Sequence, residues 1–464
     1  MKPRRFKPIA LFAAFLLIFS LMAGCGNSSG VSPSSGTGTA SPSTSESTPT
    51  STTDSGPVNL VVASWLGGKD TQAFNDVFAA YKSDHPNVTV TYQVYPYSGY
   101  TDKLTALQSG GQMPDIFLMD QPSGHNSYLY YAGVLQPLDD LIAAANYDTS
   151  TWLPGVKESN TVDGHIVAMP IHNQQLVTWY NHDLFAELGI PDLPNNPTWD
   201  QIFSTAAQIS RIGKDSKGND IEGMASQALG MLAYLESQGL QLVKSDGSPN
   251  FDDPNVISAM ATYQQAMIAG GGAGKRIPSN PFASGRQGIV ITYMGEVTDN
   301  NTPDANGNVA SNFDNRVVNL PTNDSSQGNY VVYAPNNFGI STSCKNQSAA
   351  FDLLAYLTTD AAVSKLITGA NLTPAVNVPS ATAFFAPQTD KFPFDFYQIT
   401  AATSSSAFFS APDAAWWYSV NNALTADWIK FCTPKSTDYV TPQITAQQFS
   451  DELMQAYNDW KASQ

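Results

Sequence analysis

The side chains best suited to bind a small molecule follow apolar runs typical of buried strands. Trp65 follows the run 58–64, and Asp120 and Gln121 follow the run 115–119. Parallel sheets bind ligands at the carboxyl ends of their strands. An indole offers a flat apolar face, and planar carboxylate and amide groups bond to hydroxyls. These residues predict a small-molecule site with a flat apolar surface and polar edges; a core role for Trp65 and a turn or cap role for Asp120 are the alternatives.

Several segments resemble catalytic or metal-binding motifs, but each lacks a residue or a structural context that its motif requires. Gly26–Gly30 matches the Gly-x-Ser-x-Gly pattern of hydrolases, but neither flank is typical of the strand and helix that this motif requires. Residues 270–276 resemble a phosphate-binding loop, yet Arg276 replaces the Ser or Thr that follows Lys. The histidines lack the His-Glu-x-x-His pattern, and the loop 299–314 lacks EF-hand spacing. No metal or cofactor is therefore predicted, whereas a carboxylate pair for glycoside cleavage stays open.

Composition and charge restrict the class of protein. The chain has 464 residues, 42% of them hydrophobic, and a formal net charge of −17. This composition is typical of a soluble globular protein, and the length predicts two or three domains. Because an acidic surface repels phosphate backbones, no nucleic-acid partner is expected.

The amino-terminal segment has the order of a secretory signal. A basic start and an apolar run precede Leu21-Met22-Ala23-Gly24-Cys25, which resembles the lipobox of bacterial lipoproteins. This resemblance implies that residues 1–24 are a signal peptide and that Cys25 receives lipid. Residues 25–57 are rich in Ser and Thr, so we expect a disordered linker that tethers the folded part to a membrane.

The rest of the chain alternates between strand and helix patterns, which predicts an α/β fold with parallel pairing. Strands are predicted over 58–64, 88–94, 115–119, 176–180, 287–293 and 338–341, and helices over 70–83, 100–109 and 348–358. Thr198-Trp199-Asp200-Gln201 matches a capping box and predicts the start of another helix.

Several segments in order resemble the bacterial extracellular solute-binding proteins of sugar ABC importers, the broad group that contains maltose-binding protein. The matching segments include His85-Pro86-Asn87-Val88, Gly133-Val134-Leu135-Gln136-Pro137-Leu138, Trp179-Tyr180-Asn181-His182-Asp183-Leu184-Phe185, Phe338-Gly339-Ile340-Ser341 and Ala414-Ala415-Trp416-Trp417-Tyr418.

The resemblance implies a periplasmic-binding-protein-like fold of two lobes with a ligand cleft between them. The first lobe would take residues 58–172 and 322–374, and the second lobe 173–321 and 375–464. It further implies a monomeric, extracytoplasmic, lipid-anchored receptor that captures a sugar or oligosaccharide and delivers it to an ABC permease, without enzymatic activity.

The resemblance also implies ligand contacts beyond those at the strand ends. The positions concerned are Gly68, Lys69, Asn173, Gln174, Glu296, Trp416 and Trp417. Gln174 lies near an acidic residue of the maltodextrin-binding relatives, and Glu296 stands where relatives often carry Trp. One of the two adjacent tryptophans, with Trp417 matching the late stacking aromatic, is expected in the cleft.

Two further questions stay open at this level. Cys344 and Cys432 are the thiols left after lipidation of Cys25, and outside the cell they form a disulfide or stay free. Two other functions compete with the sugar receptor: a surface enzyme that acts on polysaccharide, and a receptor of the same fold for a cation such as a polyamine.

Overall fold

The computed structural model describes residues 56–120, 123–153, 155–293, 313–324, 331–385, 408–409 and 414–464. Residues Ser55–Gln464 form one compact unit. The predicted signal peptide, Cys25 and nearly all of the predicted linker lie outside the described residues. In the part that the structure describes, no helix combines the length and the apolar character needed to cross a bilayer.

The strands run as follows: β1 Val58–Ser64, β2 Val88–Val94, β3 Ile116–Asp120, β4 Thr161–Val162, β5 His165–Ile166, β6 Met169–Asn181, β7 Glu222–Ser226, β8 Gln287–Tyr293, β9 Asn315–Val318, β10 Val331–Ile340 and β11 Phe408–Phe409. Nine of these described strands form one mixed sheet with the central order β2-β1-β3-β10-β6-β8-β7, while β11 pairs with β10 and β9 with β6. Strands β4 and β5 form a separate hairpin.

The helices run as follows: α1 Lys69–Asp84, α2 Tyr100–Ser109, α3 His125–Tyr131, α4 Asp139–Ala144, α5 Val156–Ser159, α6 His182–Leu188, α7 Trp199–Ile212, α8 Ala228–Ser237, α9 Pro254–Gly270, α10 Gln347–Leu357, α11 Asp360–Ala370, α12 Pro379–Phe385, α13 Trp417–Cys432 and α14 Ala446–Ala462. The capping box at the start of α7 is formed: the Thr198 hydroxyl accepts from the Gln201 amide, and the Gln201 side chain accepts from the Thr198 amide.

Two long antiparallel strands, β6 and β10, connect the two halves of the sheet. The carboxyl-terminal half of β10 pairs with β3, while the carboxyl-terminal half of β6 pairs with β8 and β9. Between them, β6 and β10 are hydrogen-bonded over most of their shared length, with a register shift between Asn336 and Asn337. We call the half built on β1–β3 the first lobe and the half built on β7–β9 the second lobe.

Each lobe has its own hydrophobic core. The first-lobe core joins strand residues such as Leu60 and Phe338 to α1, α10 and α11. The second-lobe core joins Ile289 and Ile291 of β8 to α7, α8, α9, α13 and α14. Trp179 and Tyr180 of β6 are buried. The predicted lobe boundaries themselves stay a prediction.

Of the two alternatives that the sequence left open for Cys344 and Cys432, the structure has the free thiols. Cys344 belongs to the first-lobe core, whereas Cys432 packs against the second-lobe core. Burial raises the pKa of both thiols, which keeps them protonated. The two side chains are therefore separate core residues, one in each lobe.

Candidate functional site

A cavity of about 400 Å³ opens where the two lobes meet at the crossing strands. This volume is within the usual range for small-molecule sites, roughly 300–1,000 Å³. Its walls are formed by Trp65, Tyr97, Asp120, Ser123, Gln174, Gln227, Ala228, Leu229, Tyr293, Asn336, Asn421, Thr425 and Trp428.

The floor of the cavity is one face of the sheet. Asp120 of β3 lies directly opposite Asn336 of β10, so their side chains emerge on the same face. Gln174 of β6 and Tyr293 of β8 continue this polar surface toward the second lobe. Asn336 also lies at the register shift of β10, and such irregularities re-aim side chains. The two crossing strands therefore each contribute an amide to the site.

Aromatic rings fix Trp65 at the wall of the first lobe. The indole makes edge contacts with Tyr97 and Tyr100, with ring centroids 5.3 and 4.9 Å apart. Such edge-to-face pairs add about 0.5–1.5 kcal/mol beyond burial. Because its edges are held in this way, Trp65 is a rigid apolar surface at the cavity.

The carboxylate of Asp120 is the hydrogen-bonding centre of this wall. Its Oδ2 accepts from the Tyr97 hydroxyl at 2.8 Å and from the Ser123 hydroxyl at 2.7 Å. The negative charge of Asp120 raises the pKa of Tyr97 well above its ordinary value. Tyr97 therefore remains a neutral donor to a charged acceptor.

A buried histidine supports Asp120 from behind. The backbone N–H of Asp120 donates to His125 Nδ1 at 3.1 Å, and His125 Nε2 lies 2.9 Å from Thr101 Oγ1. Burial lowers the pKa of His125, against the opposing effect of the Asp120 charge. The ring is therefore neutral, and its Nδ1 is the acceptor.

Helices α8 and α13 form the wall of the second lobe. Helix α8 begins at the cavity, where Gln227, Ala228 and Leu229 lie. The first amides of a helix have no acceptor within it, so those of Ala228 and Leu229 can donate to ligand oxygens. The Gly230 amide donates to the Gln227 carbonyl instead. On α13, Asn421, Thr425 and Trp428 recur at helical spacing on one side. The Trp428 indole N–H donates to the Ser226 carbonyl at 3.0 Å, which fixes the ring.

The model of one protein family matches residues 67–364, which is more than half of the chain. The family is described as bacterial extracellular solute-binding protein. The chain belongs to this family. The family membership predicted from the sequence motifs is thereby confirmed.

Curated relatives of this solute-binding protein share about a quarter of the aligned residues. A binding protein of Brucella abortus (strain 2308) is 25% identical over 252 residues, 52% of this chain and 59% of that protein. The diacetylchitobiose binding protein DasA of Streptomyces coelicolor is 26% identical over 212 residues, 44% of this chain and 47% of that protein. The chain thus spans about half the length of the curated relatives it matches.

A solved structure extends the likeness over most of the chain. An ABC substrate-binding protein of Listeria monocytogenes in complex with cycloalternan superposes with a TM-score of 0.69 and 17% identity, covering 87% of this chain and 99% of that chain. Identity this low supports the fold alone. The predicted α/β fold of two lobes is confirmed.

Three of the residues predicted as ligand contacts in this solute-binding protein line the cavity: Trp65, Asp120 and Gln174. Gly68 and Lys69 lie outside its lining, at the start of α1. Asn173 is also outside it and only 1% exposed, because neighbouring residues of a strand face opposite sides of the sheet. Gln121 and Glu296 lie outside the described residues.

The structure does not place Trp416 or Trp417 in the cavity. Trp416 is 3% exposed and donates its indole N–H to the Gly247 carbonyl, whereas Trp417 is fully buried. Both belong to the second-lobe core. The expectation that one of them lines the cleft is therefore wrong for this cavity, and Trp428, three helical turns further along α13, lies there instead.

Sequence reasoning missed most of the second-lobe wall. The spacing of Asn421, Thr425 and Trp428 was a usable signal, since positions i, i+4 and i+7 share a helix face. Gln227 follows the end of β7 and also occupies a strand-end position. Asn336 gave no such signal, because its place depends on the pairing of β10 with β3. Among the described residues, no cluster of three or more His, Cys, Asp or Glu side chains is arranged to hold a metal ion.

Proposed function

We propose that this protein acts outside the cytoplasm, where it captures a neutral sugar or polyol in the interlobe cavity and delivers it to an ABC permease. The observation that carries the proposal is the pairing of opposite polarities across the cavity. Asp120 presents a carboxylate from the first lobe, and α8 begins at the opposite wall. A hydroxyl both donates and accepts, so a polyhydroxylated ligand satisfies both walls.

The polarity of the second-lobe wall argues against a cationic ligand. The amino terminus of a helix carries a partial positive charge, equivalent to about half an elementary charge. The only charged side chain among the described lining residues is Asp120. A polyamine would meet one carboxylate and an opposing dipole, whereas a neutral sugar has no such conflict.

The aromatic rings complete the match to a sugar. Trp65 comes from the first lobe and Trp428 from the second, and both rings are held by neighbouring groups. The apolar C–H faces of a sugar bury surface against such rings, while its hydroxyls bond to Gln174, Asn336 and Asn421.

We propose a binding role without catalysis. Glycoside cleavage uses two carboxyl groups that flank the scissile bond, about 5–9.5 Å apart. Among the described residues that line the cavity, Asp120 is the one carboxylate, and Tyr97 and Ser123 already donate to it. This arrangement suits a carboxylate that accepts hydrogen bonds from ligand hydroxyls better than a carboxylic acid that protonates a leaving group.

Delivery from a membrane tether is part of the proposal. The lipobox-like segment Leu21–Cys25 and the Ser/Thr-rich stretch after it support a lipid anchor and a flexible linker. Membership in the solute-binding family supports coupling to a permease. Metabolic labelling with a radioactive fatty acid tests the anchor, because Cys25→Ser abolishes incorporation if Cys25 is the acceptor.

A thermal-shift screen tests the ligand class. The panel contains neutral monosaccharides, disaccharides and alditols, with spermidine and putrescine as cations. A ligand at one hundred times its Kd adds about 2.7 kcal/mol to the free energy of unfolding and raises Tm. We expect a rise with a neutral member, lost in Asp120→Asn and kept in Asp140→Asn, whose side chain is exposed on α4. A rise with polyamines alone contradicts the sugar assignment, and sugar turnover contradicts the binding role.

A further inference from the structure

His125 lies behind the first-lobe wall of the cavity and does not itself line the cavity. It is the first residue of α3 and is 6% exposed. Its ring contacts three elements: β3 through the Asp120 amide, α2 through Thr101, and α13 through Tyr418, whose ring centroid lies 5.5 Å away. Trp65 lies beside it, with centroids 6.3 Å apart.

The two hydrogen bonds require one tautomer of the ring. The backbone N–H of Asp120 is a donor, so His125 Nδ1 has to be unprotonated. In the neutral ring the proton is then on Nε2, which donates to Thr101 Oγ1. Thr101 is itself buried, so this bond is shielded from water.

This hydrogen bond falls at the point where β3 ends. Asp120 is the last residue of the strand. The His125 ring replaces the ladder for one amide, and that amide belongs to the residue whose carboxylate faces the cavity. A shift of this backbone would displace the carboxylate and its bonds to Tyr97 and Ser123 together.

We propose that His125 is a positioning residue of the binding site: it fixes the backbone of Asp120 and connects the ligand-facing carboxylate to Tyr418 of the second lobe. The inference rests on the proposed function, because it states that His125 orients the Asp120 carboxylate that accepts hydrogen bonds from the sugar. Its ring contact with Tyr418 places the same histidine between the site and α13, the helix that carries Asn421, Thr425 and Trp428.

NMR of the ligand-free protein tests the geometry without any sugar. We expect a scalar coupling across the N–H···N bond between the Asp120 amide nitrogen and His125 Nδ1. We also expect nitrogen shifts of an Nε2-protonated neutral ring. Absence of this coupling, or a ring protonated at Nδ1, overturns the proposal whatever the ligand is.

Two substitutions separate the acceptor from the rest of the ring. The side-chain oxygen of Asn occupies a position similar to that of Nδ1, so His125→Asn keeps an acceptor for the Asp120 amide. Gln reaches the position of Nε2, so His125→Gln keeps the partner of Thr101 and loses that acceptor. His165→Asn is the matched control, since His165 lies on β5 and is exposed.

We expect these variants to differ in the order parameter of the Asp120 amide and in affinity for the sugar. In His125→Gln the order parameter of the Asp120 amide falls, and affinity for the panel sugar that raises Tm most falls about tenfold. In His125→Asn and His165→Asn both values stay close to wild type. Equal losses in His125→Asn and His125→Gln mean that the ring only packs, and the positioning role is then wrong. If no panel sugar binds wild type, the sugar proposal fails, and the coupling and order parameters still decide the role of His125.

Discussion

Tyr128 of α3 and Tyr418 of α13 stack on each other across the two lobes, with ring centroids 4.6 Å apart and planes inclined by 28°. Both side chains are half-buried. The contact involves the first turn of α13, and the next two turns bring Asn421 and Thr425 to the cavity. A direct contact between the lobes thus lies beside the candidate site.

Removing this stack should weaken ligand binding without removing a ligand contact. We expect Tyr128→Ala and Tyr418→Ala to be non-additive, with a coupling of about 0.5–1.5 kcal/mol in the free energy of sugar binding. The measurement is a double-mutant cycle by titration calorimetry, with Tyr131→Ala as the exposed control on the same helix. Additive effects of the two substitutions would contradict an interlobe role for the stack.

Gly124→Ala should destabilise the protein through two separate causes. Gly124 has φ of +78°, and a Cβ there would lie 2.5 Å from Trp417 Cδ1. The left-handed backbone alone costs a non-glycine residue about 1–2 kcal/mol, and the clash adds to this. Gly133→Ala is the control, because its φ is +67° and nothing lies within 4 Å. Urea unfolding should therefore show a larger loss for Gly124→Ala; equal losses would mean that Trp417 moves aside at no cost.

Trp417 and Trp65 should differ in what their removal affects. Trp417 is fully buried, so Trp417→Ala should lower the free energy of unfolding by about 3–5 kcal/mol. Trp65 is only partly buried at the cavity wall, so Trp65→Ala should cost less stability and more sugar affinity. Chemical unfolding and calorimetry on both variants give the comparison. A Trp417→Ala protein of normal stability that no longer binds would return Trp417 to the site.

Glu222 should make stability depend on pH. Burial raises its pKa to about 7, although Lys275 and the Gln287 amide favour the carboxylate. The folded pKa then exceeds the unfolded value of about 4.3. The folded state holds the proton more tightly, so its advantage is present below pH 4 and is lost as pH rises through 7.

The expected size of this effect is roughly 3 kcal/mol, from about 1.36 kcal/mol per pKa unit. We expect the difference in free energy of unfolding between wild type and Glu222→Gln to change by this amount between pH 4 and pH 8. Glu158→Gln is the control, since Glu158 is exposed on α5. A difference that does not vary with pH would show that folding leaves the pKa of Glu222 unchanged.

The local elements were largely readable from the sequence. The apolar run 58–64 and the helix over 100–109 match β1 and α2 at both ends, because each has a clear period and a clear stop. The predicted strand at 176–180 is part of the longer β6, and the predicted strand at 338–341 overlaps the end of the longer β10. Polar residues such as His172, Asn173 and Asn336 interrupt the apolar pattern there.

The candidate site was less readable, because most of its residues meet through tertiary structure. Trp65 and Asp120 were found since strand ends carry a positional rule. The adjacent pair Trp416 and Trp417 could not be sorted by type alone, because large aromatic side chains serve cores and sites equally well. The burial of Trp417 follows from the packing of the start of α13 against α3, where Gly124 leaves room for the Trp417 ring.

The continuous sheet has a mechanical consequence. The lobes are connected by two neighbouring strands, and one of them is irregular between Asn336 and Asn337. A sheet bends most readily where its ladder is interrupted. Asn336 and Gln174 contact the cavity from these same strands, so a molecule held by both amides spans the flexing point. A bound ligand should therefore stiffen this connection and restrict the turning of one lobe relative to the other.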